Sequence, residues 1–282
     1  MQMMKVFALM TGLTVLLVVA GDYLGGPSMA LGMLVFAIVM NVGAYWFSDR
    51  AVLKMYRAKV IGPDDAPELY TMVDRLRSEA NLPMPTIAIA PSEQPNAFAT
   101  GRNQNHAVVC VTSGILQLIS ARELEGVIAH ELAHIKHRHM LVGTVAATVA
   151  GAIAMLASVA KWGLFFGRGR RSNGGGNLIV MIAMMIIAPM AAMIIQMMIS
   201  RSNEFQADAT AARITSDPVG LASALQKIEG YARKIPMEVN PAAAQLAIIN
   251  PLAGSAGDTM SRFFSTHPPT EKRVAKLRGM RI

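Results

Sequence analysis

Long apolar runs separated by mixed polar stretches set the plan of this chain. The first run is Val6 to Gly21, directly after Lys5, and the second is Met29 to Phe47, before Asp49 and Arg50. A third begins near Met140 and extends towards Phe166 with only Lys161 interrupting it, and a fourth is Leu178 to Ile199. Each approaches the roughly 17–25 residues that a helix needs to cross the hydrocarbon core, so about four transmembrane helices are predicted. The first is slightly short, and Lys5 can snorkel to the interface. No small-x-small cleavage site precedes Asp22 and a second run follows at once, so an uncleaved helical hairpin is expected rather than a signal peptide. Pro189 predicts a kink in the fourth helix. The pattern divides the chain into an N-terminal transmembrane hairpin (1–47), a first soluble part (48–139), a second transmembrane hairpin (140–199) and a second soluble part (200–282). The two soluble parts together are large enough for one folded domain.

Within the first soluble part the periodicity changes several times. Leu69, Met72, Val73 and Leu76 recur at helical spacing, so Pro63 to Asn81 reads as a helix, ended by Pro83 and Pro85. Thr86 to Ala90 and Ala107 to Thr112 read as short strands, and Gln94 to Asn105 between them is turn-rich. Ser120-x-x-Glu123 is a capping box that starts a helix with Leu124, Val127, Ile128 and Leu132 on its apolar stripe. No Gly or Pro occurs from Val127 to Val142, so this helix is predicted to run unbroken into the third apolar run. Gly167 to Asn177 is a low-complexity loop that lacks the Gly-Lys-Ser/Thr ending of a phosphate-binding loop.

Composition supports the membrane reading. The chain has 53% hydrophobic and only 16% charged residues, where average domains carry about 25% charge, and its mean hydropathy is +0.39. The net charge of +8 comes from Lys and Arg beside apolar runs, with no basic-aromatic module, so nucleic acid is not an expected partner and the lipid bilayer is. The single cysteine, Cys110, excludes an intrachain disulfide and a Cys-x-x-Cys zinc site.

The candidate chemistry lies on the capped helix, as His130-Glu131-Leu132-Ala133-His134. Residues four apart share a helix face, so the two imidazoles can bind one Zn²⁺ while Glu131, rotated aside, can act on a water there. Two histidines leave a catalytic zinc site one protein ligand short. Glu204, just beyond the fourth apolar run, is the candidate third ligand, and Asp208 one turn later can accept a hydrogen bond from the outer nitrogen of a ligand histidine. A solvated helix face is the plainer reading of such an acidic pair, but its place after H-E-x-x-H and beside a membrane run favours the metal. Other divalent ions remain open on this evidence of residues, although two His and one Glu most often mean zinc. His137 and His139 read as membrane-flanking residues in a basic stretch, and His106 as a surface turn residue.

These motifs carry a family resemblance. The H-E-x-x-H at 130–134, Ser200-Arg201-x-x-Glu204-x-x-Ala207-Asp208, Thr266-His267-Pro268-Pro269-Thr270-Glu271-Lys272-Arg273, Asn96 to Gly101, and Val111 to Leu116 together resemble the HtpX family of membrane zinc metallopeptidases, related to the CaaX prenyl endopeptidases. The resemblance covers essentially the whole chain. It implies a mostly α integral membrane protein with a cytoplasmic α+β catalytic domain of the zincin type, gluzincin-like, with a small β-sheet. It implies one catalytic Zn²⁺ on His130, His134 and Glu204, with Glu131 as general base and acid and Asp208 as an outer partner. His267 then either hydrogen-bonds the tetrahedral intermediate or caps a turn. Asn96, Ala97 and Phe98 either line a substrate cleft, where an extended peptide adds to a strand edge, or belong to an ordinary hairpin. The implied activity is cleavage of membrane or misfolded proteins in membrane-protein quality control and stress response, alongside other quality-control proteases. Processing of a lipidated protein and a non-cutting zinc-stabilised scaffold are the alternatives. A transporter is disfavoured, because the runs contain little polar besides Asn41, Lys161 and Gln196. Arg50, Lys54, Arg57 and Lys59 after the second run, with Lys136 and Arg138 before the third, predict a cytoplasmic catalytic part, and the resemblance implies a multi-pass protein of the bacterial inner membrane. Arg168, Arg170 and Arg171 run against that rule.

Overall fold

A computed structural model of the chain describes residues 2–141, 201–232 and 268–281. The fourth apolar run, nearly all of the third, the Gly167–Asn177 loop and His267 lie outside the described residues. Two compact units are present, one holding residues 3–44 and the other holding Tyr45–Leu141 with 201–232 and 268–281.

In the first unit, helix α1 (Gln2–Met55) is broken into two arms at Gly25 and Gly26, ahead of Pro27. Gly26 has φ 69°, a conformation that glycine adopts without steric cost. Leu13 and Leu17 on the first arm are buried with Ala37 on the second, and Met33 and Phe36 pack beside them. Asn41 Nδ2 donates to Thr14 Oγ1 at 3.2 Å across the arms. Phe7, Val15, Val19, Leu31, Val35 and Val39 are exposed, so the two arms leave a large apolar surface uncovered. Among the described residues, Gly25–Phe47 is the one helix long and apolar enough to cross a membrane; Val6–Asp22 is apolar but shorter.

The second unit is built on a four-stranded sheet of β1 (Lys59–Ile61), β2 (Thr86–Ala90), β3 (Ala97–Gly101) and β4 (Ala107–Thr112) in the order β1-β2-β4-β3. β2 and β4 run parallel, and the other two pairings are antiparallel. The side-chain alternation of the strands gives the sheet two faces. Ile87, Ala97, Ala99, Val109 and Val111 join the main core, which also takes Leu69, Val73 and Leu76 of α2 (Pro67–Glu79). Ala88, Ala90, Phe98, Val108 and Cys110 form a second cluster against Val52, Leu53 and Tyr56 at the end of α1. After the short α3 (Ser113–Leu118) comes the helix of the main core, α4 (Ala121–Lys136). The remaining helices are α5 (residues 201–215 as described), α6 (Pro218–Ala232) and α7 (Thr270–Arg278).

The capping box at Ser120 is present: Ser120 N–H donates to Glu123 Oε2 at 2.8 Å, and Glu123 N–H donates to Ser120 Oγ at 3.4 Å. Glu123 also receives hydrogen bonds from Ser223 Oγ (2.6 Å) and Lys227 Nζ (2.8 Å), so the same carboxylate ties α4 to α6. Farther along, the two helices approach so closely that a Cβ on Gly126 would lie 2.7 Å from the backbone nitrogen of Leu221.

Three local expectations are corrected. The predicted helix at 63–81 starts at Pro67, because Asp65 closes a turn by accepting from Gly62 N–H at 2.7 Å and Pro67 suits a first helical position. The turn-rich stretch 94–105 contains strand β3, since antiparallel pairing with β4 overrides its weak propensity. Finally, α4 does not continue into the third run. It ends at Lys136, Arg138 takes a left-handed φ of 58°, and helical structure resumes at 139.

Candidate metal centre

Helical spacing places His130 and His134 on one face of α4, and their Nε2 atoms lie 3.1 Å apart. α5 brings Glu204 to the same point. Its Oε2 is 3.4 Å from His130 Nε2, and its Oε1 is 3.5 Å from His134 Nε2. Among the described residues this is the one group of His, Cys, Asp and Glu able to hold a metal ion.

The geometry fits a small divalent cation. With ligand bonds of about 2.0–2.1 Å, the edge of a tetrahedron is about 3.3 Å, and the three separations straddle that value. Lone pairs facing one another at such distances are unfavourable unless positive charge lies among them. His130 shows the same demand: burial opposes its charge, yet hydrogen bonding to Asp208 and Glu204 pushes its pKa up to about 9.

Surrounding groups hold these three in place. His130 Nδ1 lies 3.0 Å from Asp208 Oδ1. Asp208 also accepts from Arg273 on α7, Nη2 to Oδ1 at 2.7 Å and Nε to Oδ2 at 2.8 Å. Arg273 Nη1 reaches Glu204 Oε2 at 3.2 Å. Arg273 is only 1% exposed; burial works against its charge, but Asp208 and Glu204 outweigh that and raise its pKa. Asp208 is likewise penalised by burial, and the Arg273 guanidinium beside it brings its carboxyl down to about 2. Two buried carboxylates thus face a single fixed cation, and the His-His-Glu cluster is where a second positive charge completes the balance.

Glu131 is buried beside this cluster. Burial raises its carboxyl to about 7; His130 opposes the shift, Glu204 adds to it, and a hydrogen bond from the backbone of Ala99 on β3 lowers it. A carboxyl poised there can exchange a proton near neutral pH.

The structure therefore brings together His130, Glu131, His134, Glu204 and Asp208. The three cleft candidates lie on or beside β3, one of the sheet's two edge strands. Asn96 is held by Thr112, whose Oγ1 accepts from Asn96 N–H at 2.8 Å. Ala97 packs into the main core beside α4, whereas Phe98 points to the other face and meets the Tyr56 ring at 4.6 Å. His106 lies in an exposed turn, its N–H donating to Asn103 Oδ1 at 3.0 Å. His139 stands outside the metal-holding group but is buried, and its Nδ1 lies 3.1 Å from His134 Nδ1. In an unbroken helix residues five apart point about 140° apart; the left-handed Arg138 swings the His139 ring back.

Arg273 received no role from the sequence, although it closes the Thr-His-Pro-Pro motif. One signal was available. Thr270, Arg273, Val274 and Leu277 form the buried stripe of α7, so an arginine occupies a position of the apolar pattern.

Comparison with known proteins agrees with this geometry. Residues 63–281 match Peptidase family M48. The Protease HtpX homolog of Desulforapulum autotrophicum is 54% identical over 272 residues, covering 96% of this chain and 87% of that protein. The Protease HtpX homolog of Gemmatimonas aurantiaca is 54% identical over 280 residues, 99% of both chains. Among solved structures, S. mikatae Ste24p shares the fold with a TM-score of 0.55 at 18% identity; the match takes in 98% of this chain and 64% of that one. A family match over most of the chain, relatives identical at half their positions over nearly full length, and a His-His-Glu cluster on two helices lead to one conclusion: the chain belongs to peptidase family M48 and is an HtpX-type metallopeptidase.

Proposed function

We propose that this chain is a membrane-bound zinc endopeptidase that hydrolyses peptide bonds of membrane or misfolded proteins, as part of membrane-protein quality control. The observation that carries the reading is the His130–His134–Glu204 cluster with the buried carboxyl of Glu131 beside it. Bound there, zinc would supply a Lewis acid for the scissile carbonyl and acidify a water. Glu131 takes the proton of the attacking water and returns one to the leaving amine. Asp208 holds His130 through Nδ1, and Arg273 holds Asp208 and Glu204, so the ligands keep their orientation through turnover. His267, from the Thr-His-Pro-Pro motif, donates to the tetrahedral oxyanion. Extended substrate lies along the Asn96–Phe98 side of β3 in this proposal, in the manner of an added strand.

The protein spans the bacterial inner membrane several times and turns its catalytic unit to the cytoplasm. The apolar Gly25–Phe47 helix and the positive residues that follow it support this placement. Its substrates are unfolded or membrane-embedded polypeptides, and other membrane quality-control proteases are its functional partners.

The test is cleavage of an unfolded membrane protein by the detergent-purified, zinc-loaded chain, with Glu131→Gln alongside. Wild type is expected to cut, and Glu131→Gln to bind zinc but lose about 10²–10⁴-fold in rate. Equal cleavage by both would overturn the role of Glu131. A wild type that takes up no zinc would overturn the metal reading.

A further inference from the structure

Beyond the ligand cluster, four polar side chains form a hydrogen-bonded line that ends on His134. Thr210 Oγ1 lies 2.9 Å from His137 Nε2, and His137 Nδ1 lies 3.2 Å from Gln206 Nε2. Gln206 Oε1 lies 3.2 Å from His139 Nε2, and His139 Nδ1 lies 3.1 Å from His134 Nδ1. The line starts on α5, crosses to the turn after α4, returns to α5 and ends on α4.

A neutral imidazole has one donor nitrogen and one acceptor nitrogen, so the line has a direction. A carbonyl oxygen only accepts, so His139 Nε2 donates to Gln206 Oε1. That leaves His139 Nδ1 as an acceptor, and His134 Nδ1–H donates to it. The lone pair of His134 is then on Nε2, the atom that faces His130 and Glu204. On the other side, the Gln206 amide N–H donates to His137 Nδ1, and His137 Nε2–H donates to Thr210. Every donor meets an acceptor. If the amide is turned over, every bond reverses and a proton is placed on His134 Nε2, where it competes directly with a metal ion.

The geometry points to His139, oriented by Gln206, as the positioning residue that holds His134 in its metal-binding tautomer. This inference rests on His134 being a metal ligand. It differs from the support of the other histidine, which a carboxylate, Asp208, supplies directly.

Gln206 is exposed, so it can be changed without disturbing the core. Glutamate at 206 only accepts, so it preserves the direction of the half that runs through His139 to His134, while His137 changes tautomer to donate from Nδ1. Lysine only donates, so it keeps the bond to His137 and reverses the half that runs through His139 to His134. The experiment measures zinc dissociation constants of the full chain in detergent by chelator competition, for wild type, Gln206→Glu, Gln206→Lys, His139→Leu, and both Gln206 variants in the His139→Leu background. Gln206→Glu is expected to bind within about threefold of wild type, and Gln206→Lys and His139→Leu about 10–100-fold more weakly. In the His139→Leu background the line is cut, so glutamate and lysine at 206 should bind alike. A glutamate–lysine difference that persists undiminished there would show a through-space charge effect and overturn the relay. Equal affinity for all variants, with zinc bound by wild type, would also overturn it while leaving the metal reading intact. A wild type without zinc would overturn the metal reading itself. If His139→Leu does not fold, the Gln206 pair in the wild-type background decides: equal binding by glutamate and lysine overturns the relay.

Discussion

Arg273 shows how much a single buried side chain can decide. Its guanidinium forks onto Asp208 and reaches Glu204, so it fixes one carboxylate behind His130 and one within the ligand cluster. A planar donor set with two bonds to one carboxylate is geometry that lysine cannot reproduce. Replacing Arg273 by Met removes the one permanently charged cation that faces these two buried carboxylates. Breaking a buried pair in this way costs about 3–5 kcal/mol. Metal-free Arg273→Met is therefore expected to unfold at markedly lower denaturant than wild type, and zinc, which restores part of the missing charge, should recover some of the loss. Chemical denaturation with and without zinc checks both statements; equal midpoints for wild type and variant would remove Arg273 from the centre's support. At this scale the H-E-x-x-H spacing was legible because both histidines are on one local helix. Arg273 and His139 were not, since their partners are 65 and 5 residues away across a tertiary contact and a left-handed turn.

At the scale of elements, α4 is placed by what meets its ends and its small residues. Its N-terminus is capped by Ser120 and tied to α6 through Glu123, and Gly126 allows the backbone of Leu221 to come close. Burial alone would raise the Glu123 carboxyl. Hydrogen bonds from Lys227, Ser223 and Ser120 outweigh it and bring the pKa from 4.5 down to about 2. A group whose pKa is lower folded than unfolded stabilises the protein above its unfolded value, and that contribution is lost as pH falls through its folded value. The stability that Glu123 contributes should thus be complete above about pH 4.5 and fade towards pH 2. Denaturation of wild type and Glu123→Gln across that range should show the difference between them closing as pH falls; a constant difference would mean that the charge is not what joins α4 to α6. The capping box and the apolar stripe of α4 were readable in the sequence because both are local. The end of α4 was not, because no glycine or proline marks it and Arg138 closes it in a conformation that sequence patterns do not announce.

For the whole molecule, the proposed function puts the catalytic unit on the cytoplasmic side of a membrane. The proposed cytoplasmic side predicts the labelling of a new surface cysteine. In a Cys110→Ala background, Asp64→Cys puts a thiol at an exposed position of the catalytic unit. A membrane-impermeant maleimide should reach it in lysed cells and not in intact cells whose inner membrane is sealed. Labelling in intact cells would reverse the orientation.

The sequence by itself determined the apolar runs, the capped helix, the strands at 86–90 and 107–112, and the two histidines one helical turn apart. All of these depend on neighbours within a few residues, where periodicity and capping chemistry act directly. Its motifs also singled out Glu204 and Asp208. Only the tertiary structure decided that Glu204 meets the histidines at 3.4 and 3.5 Å, that a buried arginine joins the two carboxylates, and that His139 turns back to His134. Those are contacts between separate helices, and their distances follow from how α4, α5 and α7 pack around one small volume of low dielectric, which no local pattern encodes.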